Sequence, residues 1–420
     1  MMPGPGMEWV GEEEIKEVME VLKSGYLYRY GISLGDEIDP RFKGKVYQAE
    51  KEVAEWSHVK YAVAVNSGTS ALVTALAGIG IGAGDEVIVP GFTFIASMAS
   101  IVYAHAVPVL AEIDKTFNLD PADVEAKITP HTKAIMLVHM MGNQGRLDEI
   151  KAIADKHKIH LVEDCAQAFG ATYNGRPVGS IGSVGGCSFN VYKTITSGDG
   201  GMVLTNDEEI YRRSFAFHDQ GHSPLRSGVE IGARPFFGLD FRFTEVQAAI
   251  LLAQLRKLPR MLERLRTNKK RYKEMISGIP GLEFREIVDP AGEVGTMLTI
   301  ILPTAEIAEK MAADLKTKVV SKAGWHVYSN MEQLLELRTV SSVQCPFVCA
   351  KLHGGSQKEV KYWKGMLPKT DALLARSLNI SIGVRDPGLS SGFGLTINDD
   401  LPAVEKHATQ LRKVAEKYLK

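Results

Sequence analysis

The residues best suited to chemistry lie in Cys187-Ser-Phe-Asn-Val-Tyr-Lys193-Thr-Ile-Thr-Ser-Gly-Asp-Gly-Gly201, which ends just before a short apolar run, Met202-Val-Leu-Thr205. Lysine is a weak nucleophile at its ordinary pKa, but among apolar neighbours that pKa falls and the amine can attack a carbonyl to form a Schiff base. A single lysine beside a turn is by default a surface residue. A second segment upstream changes the balance. Ile159-His-Leu-Val-Glu-Asp164-Cys-Ala-Gln167 reads as a short buried strand ending in acidic residues, and the strand ends of open α/β sheets are where ligand chemistry is placed. Further upstream, Tyr61-Ala-Val-Ala-Val65 reads as a strand that delivers Ser67-Gly68-Thr69 to the start of a helix. Backbone N–H groups at such a helix start are unpaired and suit an anion, although a serine there is also an ordinary helix cap.

An imine-forming lysine, a carboxylate at a strand tip and an anion site suit pyridoxal 5'-phosphate, which needs partners for its aldehyde, its ring nitrogen and its phosphate. Ser67-Gly-Thr-Ser-Ala-Leu72, Glu163-Asp-Cys-Ala-Gln167 and Ser188-Phe…Lys193…Gly198-Asp-Gly-Gly201 resemble the motifs of the DegT/DnrJ/StrS sugar aminotransferases. The resemblance runs from about residue 8 to the C-terminus. Within the family the pattern is most similar to enzymes that aminate C8 of a 3-deoxy-octulosonate sugar. It implies the aspartate-aminotransferase-like fold, a pyridoxal-phosphate transferase of fold type I, and a homodimer with shared active sites. By the same resemblance Lys193 holds the cofactor as a Schiff base and Asp164 faces the ring nitrogen. Phe94 stacks on the ring, Gln167 bonds the phenolic oxygen, and Gly68, Thr69 and Ser188 hold the phosphate. Glutamate or glutamine is the implied amino donor and a keto or aldehyde sugar the acceptor. The chain departs from the family at Asp240, where an asparagine donates to the phosphate bound in the neighbouring subunit. An ionised aspartate only accepts, so Asp240 would repel that phosphate unless a cation such as Arg242 or a water intervenes.

The elements that must position these residues follow an α/β rhythm. Strand signals at Glu86-Val-Ile-Val-Pro90, Val107–Ile113, Ala134–Val138 and Leu161–Glu163 alternate with helix signals near 120–128 and 147–157, which predicts a mostly parallel sheet with helices on both faces. Residues 9 to 23 space Ile15, Val18, Met19 and Leu22 along one helical face. The Gly25–Gly31 aromatic loop after them is a candidate ligand cover, placed near the active site by the resemblance. The stretch Gly238–Ala249 is expected to open a long helix that continues past Pro259 toward Ile276, with the basic run Arg264–Lys273 as a solvated face. A strand at 296–302, a helix at 304–316 and a closing helix at 399–419 predict a smaller C-terminal α+β domain. The expected division is 1–250 for the N-terminal segment and large domain, and 251–420 for the linking helix and small domain. Trp325–Asn330 and the Gly-rich basic stretch Lys351–Lys369 read as irregular segments able to contact substrate.

With 420 residues, 45% apolar and 24% charged, and a net charge of −1, nothing in the balance invites nucleic acid or an acidic membrane surface. No apolar run is long enough to span a bilayer and the N-terminus lacks the pattern of a secretory signal, so a cytoplasmic location is expected. Four cysteines fit free thiols in a reducing compartment. Gly78-Ile-Gly-Ile-Gly82 follows a helix and precedes a strand, the reverse of a dinucleotide fingerprint. His218 with His222, and Cys345 and Cys349 with His353, have tempting spacings but no complete metal-ligand set. Three rivals stay open: a dehydratase of the same family, which would carry histidine in place of Lys193; a cofactor-binding regulator without turnover; and, from another class, a nucleotide-binding α/β protein.

Overall fold

The computed structural model describes residues 4–30, 33–34, 37–224, 234–355 and 359–419. Seven strands form the central sheet: β1 (Tyr61–Val65), β2 (Glu86–Pro90), β3 (Val107–Ala111), β4 (Thr132–Val138), β5 (His160–Asp164), β6 (Val184–Ser188) and β7 (Gly201–Thr205). They lie in the order β1-β7-β6-β5-β4-β2-β3. All neighbours run parallel except β7, which is antiparallel to both β1 and β6. The strands are buried along nearly their whole length, as a sheet covered on both faces requires. Among the covering helices, α1 (Glu12–Ser24) precedes the sheet, α2 (Gly68–Gly78) follows β1, and α3 (Ile95–Tyr103) follows β2.

The helix α4 (Glu245–Ile276) links this sheet to an antiparallel one of β8 (Glu283–Phe284), β9 (Met297–Ile301) and β10 (Ser377–Ser381). Thr244 caps α4 in a reciprocal pair with Gln247, and Pro259 lies within the helix. One apolar core runs from Ile88 of β2 through Leu258 and Leu265 of α4 to Leu298 and Ile380 of the second sheet. No helix among the described residues is long and apolar enough to cross a membrane.

Several expectations need correction. The helix at α1 forms, but Ile15, Met19 and Leu22 of its apolar stripe are exposed, while Glu14, Val21 and Ser24 are buried. The helix turns its acidic side inward because Glu14 meets Lys257 at 2.7 Å and Gln254 at 2.9 Å, and Glu17 meets Arg256 at 2.5 Å. The run Arg264–Lys273 is not a wholly solvated face: Leu265, Asn268, Lys269 and Tyr272 are buried, Lys269 against Glu293. Cys345 and Cys349 are joined in a disulfide, so only Cys165 and Cys187, both buried, are free thiols. Among the described residues of 351–369, Gly84 closely approaches the His353 carbonyl and Tyr362 donates to the Pro108 carbonyl at 2.6 Å. That places His353 and Tyr362 against the starts of β2 and β3, at the opposite end of the sheet from the strand tips that bear Asp164 and Ser188, whereas the N–H groups of Gly365 and Leu367 donate to the Tyr328 hydroxyl and Lys369 N–H donates to Glu112, beyond the ends of β2 and β3.

Candidate active site

The parallel strands deliver their chemistry to one edge. Asp164 is the last residue of β5 and Ser188 the last of β6; Ser67 lies just beyond β1, and Thr93 and Phe94 just beyond β2. Lys193 sits on the loop between β6 and β7. These residues, with Gly68, Thr69 and Gln167, line a single cavity of about 560 Å³. A larger cavity of about 690 Å³ near Asp85, Lys133 and His160 lies at the strand starts and contains none of them.

The Lys193 loop is closed on itself. Phe189 N–H donates to the Gly200 carbonyl at 2.8 Å, Ser197 N–H to the Phe189 carbonyl at 2.9 Å, and Lys193 N–H to the Asn190 carbonyl at 2.9 Å. Its tether is thus fixed while Nζ stays without a hydrogen bond or ion pair among the described residues. Burial lowers the Lys193 pKa, opposed by the charges of Asp164, Asp386 and Asp199. A lysine in that condition is an activated nucleophile. Asp164 accepts from the Ser97 hydroxyl at 2.7 Å and from the Ala166 N–H at 3.0 Å. Burial raises its pKa, against the lowering effect of those two donors, Lys193 and His139. Beneath it, the buried Glu163 accepts from the N–H groups of Gly179 and Ile181 at 2.8 Å and of Gly182 at 2.6 Å, and lies 3.1 Å from His139 Nε2. Glu163, His139 and Cys165 are close together, but Glu163 is already saturated by these donors.

The strand-to-helix turn forms where the sequence places it, with Ser67 as N-cap and the helix opening at Gly68. Ser67 caps α2 by accepting from Ser70 N–H at 3.1 Å, which leaves the Gly68 and Thr69 N–H groups facing the cavity with no acceptor among the described residues. Gly68 is required by close approach: a Cβ there would stand 2.5 Å from the Ser188 Cβ. On the neighbouring strand a Cβ at Gly201 would stand 2.4 Å from the Ser67 carbonyl oxygen.

Gln167 Oε1 accepts from Met141 N–H at 2.8 Å, and its NH₂ is free to donate into the cavity. The ring of Phe94 is exposed and tilts against His326 at 5.2 Å. Asp240 does not join the cavity. Its carboxylate contacts Arg242, which also meets Asp219 at 2.7 Å. The aromatic loop's described part, 25–30, does not line the cavity either. Arg29 is buried with Glu50 at 3.1 Å and His218 at 2.8 Å, and Tyr30 donates to Asp219 at 2.5 Å; Gly31 lies outside the described residues. His218 is bonded to Arg29 and the Phe215 carbonyl, and His222 to the Asp219 carbonyl and Arg234, so the two form no metal site. Sequence reasoning missed Asp386, whose only local signal, Asp386-Pro-Gly388, marks a turn without saying where it lands. Trp325 and His326 do line the cavity, as the reading of that stretch allowed.

A mostly parallel sheet with one reversed strand, carrying an unpaired lysine and a buried aspartate at its strand ends, is the arrangement of a pyridoxal-phosphate transferase of fold type I. A model of the DegT/DnrJ/EryC1/StrS aminotransferase family matches residues 9–347, and the chain belongs to that family. It is similar to GDP-perosamine synthase of Caulobacter vibrioides, 46% identical over 214 residues, 51% of this chain and 57% of that one. This chain therefore spans little more than half of that relative. It is also similar to GDP-perosamine synthase of Escherichia coli O157:H7, 38% identical over 280 residues, 66% of this chain and 75% of that one. Among solved structures, the aminotransferase from Psychrobacter cryohalolentis superposes with a TM-score of 0.76 at 29% identity, covering 100% of this chain and 99% of that one. The cofactor of this class is pyridoxal 5'-phosphate, and the residues present fit it. The unpaired Nζ, the buried carboxylate and the glycine-lined helix start offer one group for each of its polar ends.

Proposed function

We propose that this protein moves an amino group from glutamate or glutamine to a keto or aldehyde sugar, with Lys193 as the covalent attachment point and proton carrier. The observation that carries the reading is the unpaired, pKa-lowered Lys193 amine in one cavity with buried Asp164 and the start of α2. Bound pyridoxal phosphate would supply an aldehyde that condenses with amines and a ring that, protonated at nitrogen, accepts the electron pair left when a proton leaves the donor carbon. Lys193 Nζ would hold the group and, once displaced by the donor, take that proton and return it on the adjacent carbon. Asp164, fixed by Ser97 and the Ala166 N–H, would keep the ring nitrogen protonated. Phe94 would cover one ring face and the Gln167 NH₂ would donate to the phenolic oxygen. The Gly68 and Thr69 N–H groups and the Ser188 hydroxyl would bind the phosphate.

The names of the relatives favour a nucleotide-linked keto sugar as acceptor, and an 8-oxo-3-deoxy-octulosonate is the other acceptor considered. Retention of lysine at 193 disfavours the dehydratase reading. The same proposal includes the division of the chain near residue 250 and a homodimer with shared sites. Two features support the dimer: the exposed stripe of Ile15, Met19 and Leu22, and a described cavity lining whose single cation, Lys193, faces the carboxylates Asp164, Asp199 and Asp386. Anionic ligands there need positive charge from outside that lining, and a partner chain is a ready source.

Borohydride treatment of the loaded protein, followed by peptide mapping, tests the assignment. The pyridoxyl tag should sit on Lys193, and Lys193→Ala should lose at least about three orders of magnitude of glutamate-dependent turnover while remaining folded. A tag on another lysine ends the proposal. Turnover of a panel of nucleotide-linked keto sugars and 8-oxo-3-deoxy-octulosonate would identify the acceptor, and a complete lack of turnover with glutamate and glutamine would favour the regulator.

A further inference from the structure

We propose that Trp325 and Asp386, two residues from the C-terminal half of the chain, form the subsite that grips the sugar ring of the acceptor through its hydroxyl groups and its apolar face. The inference rests on the aminotransferase reading above and deepens it.

Both residues line the same cavity as the helix start, and both are held by the frame that holds Phe94. Thr93 N–H donates to the His326 carbonyl and Ile95 N–H to the Trp325 carbonyl, each at 2.9 Å, so the 325–326 backbone is stitched to the segment that carries Phe94. His326 Nδ1 lies 2.8 Å from the Gly388 carbonyl. Burial lowers the His326 pKa to about 3, so the ring is neutral and its Nδ1–H donates to that carbonyl. The loop bearing Asp386 is thereby tied to the same frame. Asp386 is clamped at both ends: its Oδ1 accepts from Gly388 N–H at 2.7 Å and its own N–H donates to Ser391 Oγ at 2.9 Å. Its Oδ2 accepts no hydrogen bond among the described residues. A carboxylate fixed through one oxygen and open at the other, on a cavity wall, is an acceptor waiting for a donor. Trp325, by contrast, leaves 61% of its surface exposed at the rim, with its indole edge close to Gly388.

The charge of the lining selects the ligand chemistry. With Asp164, Asp199 and Asp386 set against Lys193 alone, a second anionic group beside Asp386 would be repelled, whereas a neutral hydroxyl gains a charge-assisted hydrogen bond. A sugar ring offers both requirements at once: hydroxyl donors around its edge for Asp386, and a face of C–H groups for the broad apolar surface of Trp325. A site built to bond hydroxyls also discriminates strongly against analogues that lack them. Asp386 and Trp325 are therefore specificity determinants for the acceptor step.

The test separates the two half-reactions. With the holoenzyme in its amino form, calorimetry would measure binding of a nucleotide-linked 4-keto-6-deoxyhexose, of 8-oxo-3-deoxy-octulosonate and of scyllo-inosose, a neutral polyhydroxylated ring ketone. Absorbance would follow the conversion driven by glutamate alone. For the acceptor bound best by the parent protein, Asp386→Asn and Trp325→Leu should each weaken binding about tenfold or more, and several-fold more than they reduce kcat/KM for glutamate. Asparagine can still accept from Gly388 N–H through Oδ1, so the loop should hold, and circular dichroism would confirm it. Unchanged acceptor binding in both variants, equal losses for acceptor and glutamate, or no panel member bound by the parent overturns the assignment. Failure of the parent to convert either glutamate or glutamine would instead count against the aminotransferase reading, and is seen independently of the binding data.

Discussion

For both Asp164 and Lys193, burial is the largest influence on ionisation, outweighing the neighbouring charges and hydrogen bonds that oppose it. Desolvation drives the lysine pKa down and the aspartate pKa up, so each is pushed toward its neutral form until a ligand of the right charge arrives. A protonated ring nitrogen beside Asp164 would reverse that penalty and hold the carboxylate ionised. An amide cannot do so, since a charge-assisted hydrogen bond is roughly twice as strong as a neutral one. Asp164→Asn is therefore expected to keep bound cofactor, seen in the visible spectrum, yet to lose about a hundredfold or more of its turnover. Near-normal turnover in that variant would make Asp164 a strand-end acid of purely structural importance.

At the scale of elements, the contact between α2 and β6 decides whether the proposed anion site can form. Gly68 brings the helix start against Ser188, and Gly186 of β6 is packed under Leu72 of α2, where a Cβ would meet Leu72 Cδ2 at 2.8 Å. Gly68→Ala should force α2 off β6, costing about 1–3 kcal/mol of stability as overpacking does and weakening cofactor binding. The clash is with the Ser188 Cβ, so Ser188→Ala should not relieve it while Ser188→Gly in the same background should restore most of the lost melting temperature. Thermal unfolding of the three proteins checks this, and equal rescue by alanine and glycine would place the strain elsewhere.

For the whole molecule, the residue at 240 bears on the proposed partner chain. Asp240 is held by Arg242, which Asp219 also engages, so its charge is largely offset and Arg242 keeps a partner if Asp240 is changed. Asp240→Asn is accordingly expected to leave sedimentation as a dimer intact and to hold cofactor affinity or raise it by about two- to tenfold, as a repulsion is exchanged for a donor. Weaker cofactor binding together with dissociation would show instead that the Asp240–Arg242 pair shapes the interface. A wild-type protein that is fully active while sedimenting as a monomer would rule out shared sites.

Much of the site was legible because its parts are local. The strand Tyr61–Val65 with its Ser67-Gly68-Thr69 turn, the strand tip at Asp164 and the lysine-glycine loop before β7 each declare themselves within a few residues, and rules of α/β topology place their ends on one edge. Strand β6 was missed because Val184-Gly-Gly-Cys-Ser188 has no apolar alternation; its glycines answer to neighbours, Gly185 to Gly179 and Gly186 to Leu72. Strand β10, Ser377-Leu-Asn-Ile-Ser381, looks polar because Asn379 is satisfied only in the folded chain, by Thr299 Oγ1 and the Leu389 carbonyl. The inward turn of the acidic side of α1 depends on Lys257 and Arg256, far along the chain. The sequence by itself thus determined the α/β class, the loop that carries Lys193 and the Ser67-Gly68-Thr69 turn at a helix start, since these follow from short-range pattern. Only the tertiary structure decided that Trp325, His326 and Asp386 line one cavity with them and that Asp240 pairs with Arg242, because those meetings depend on burial and on how the folded chain brings its segments together.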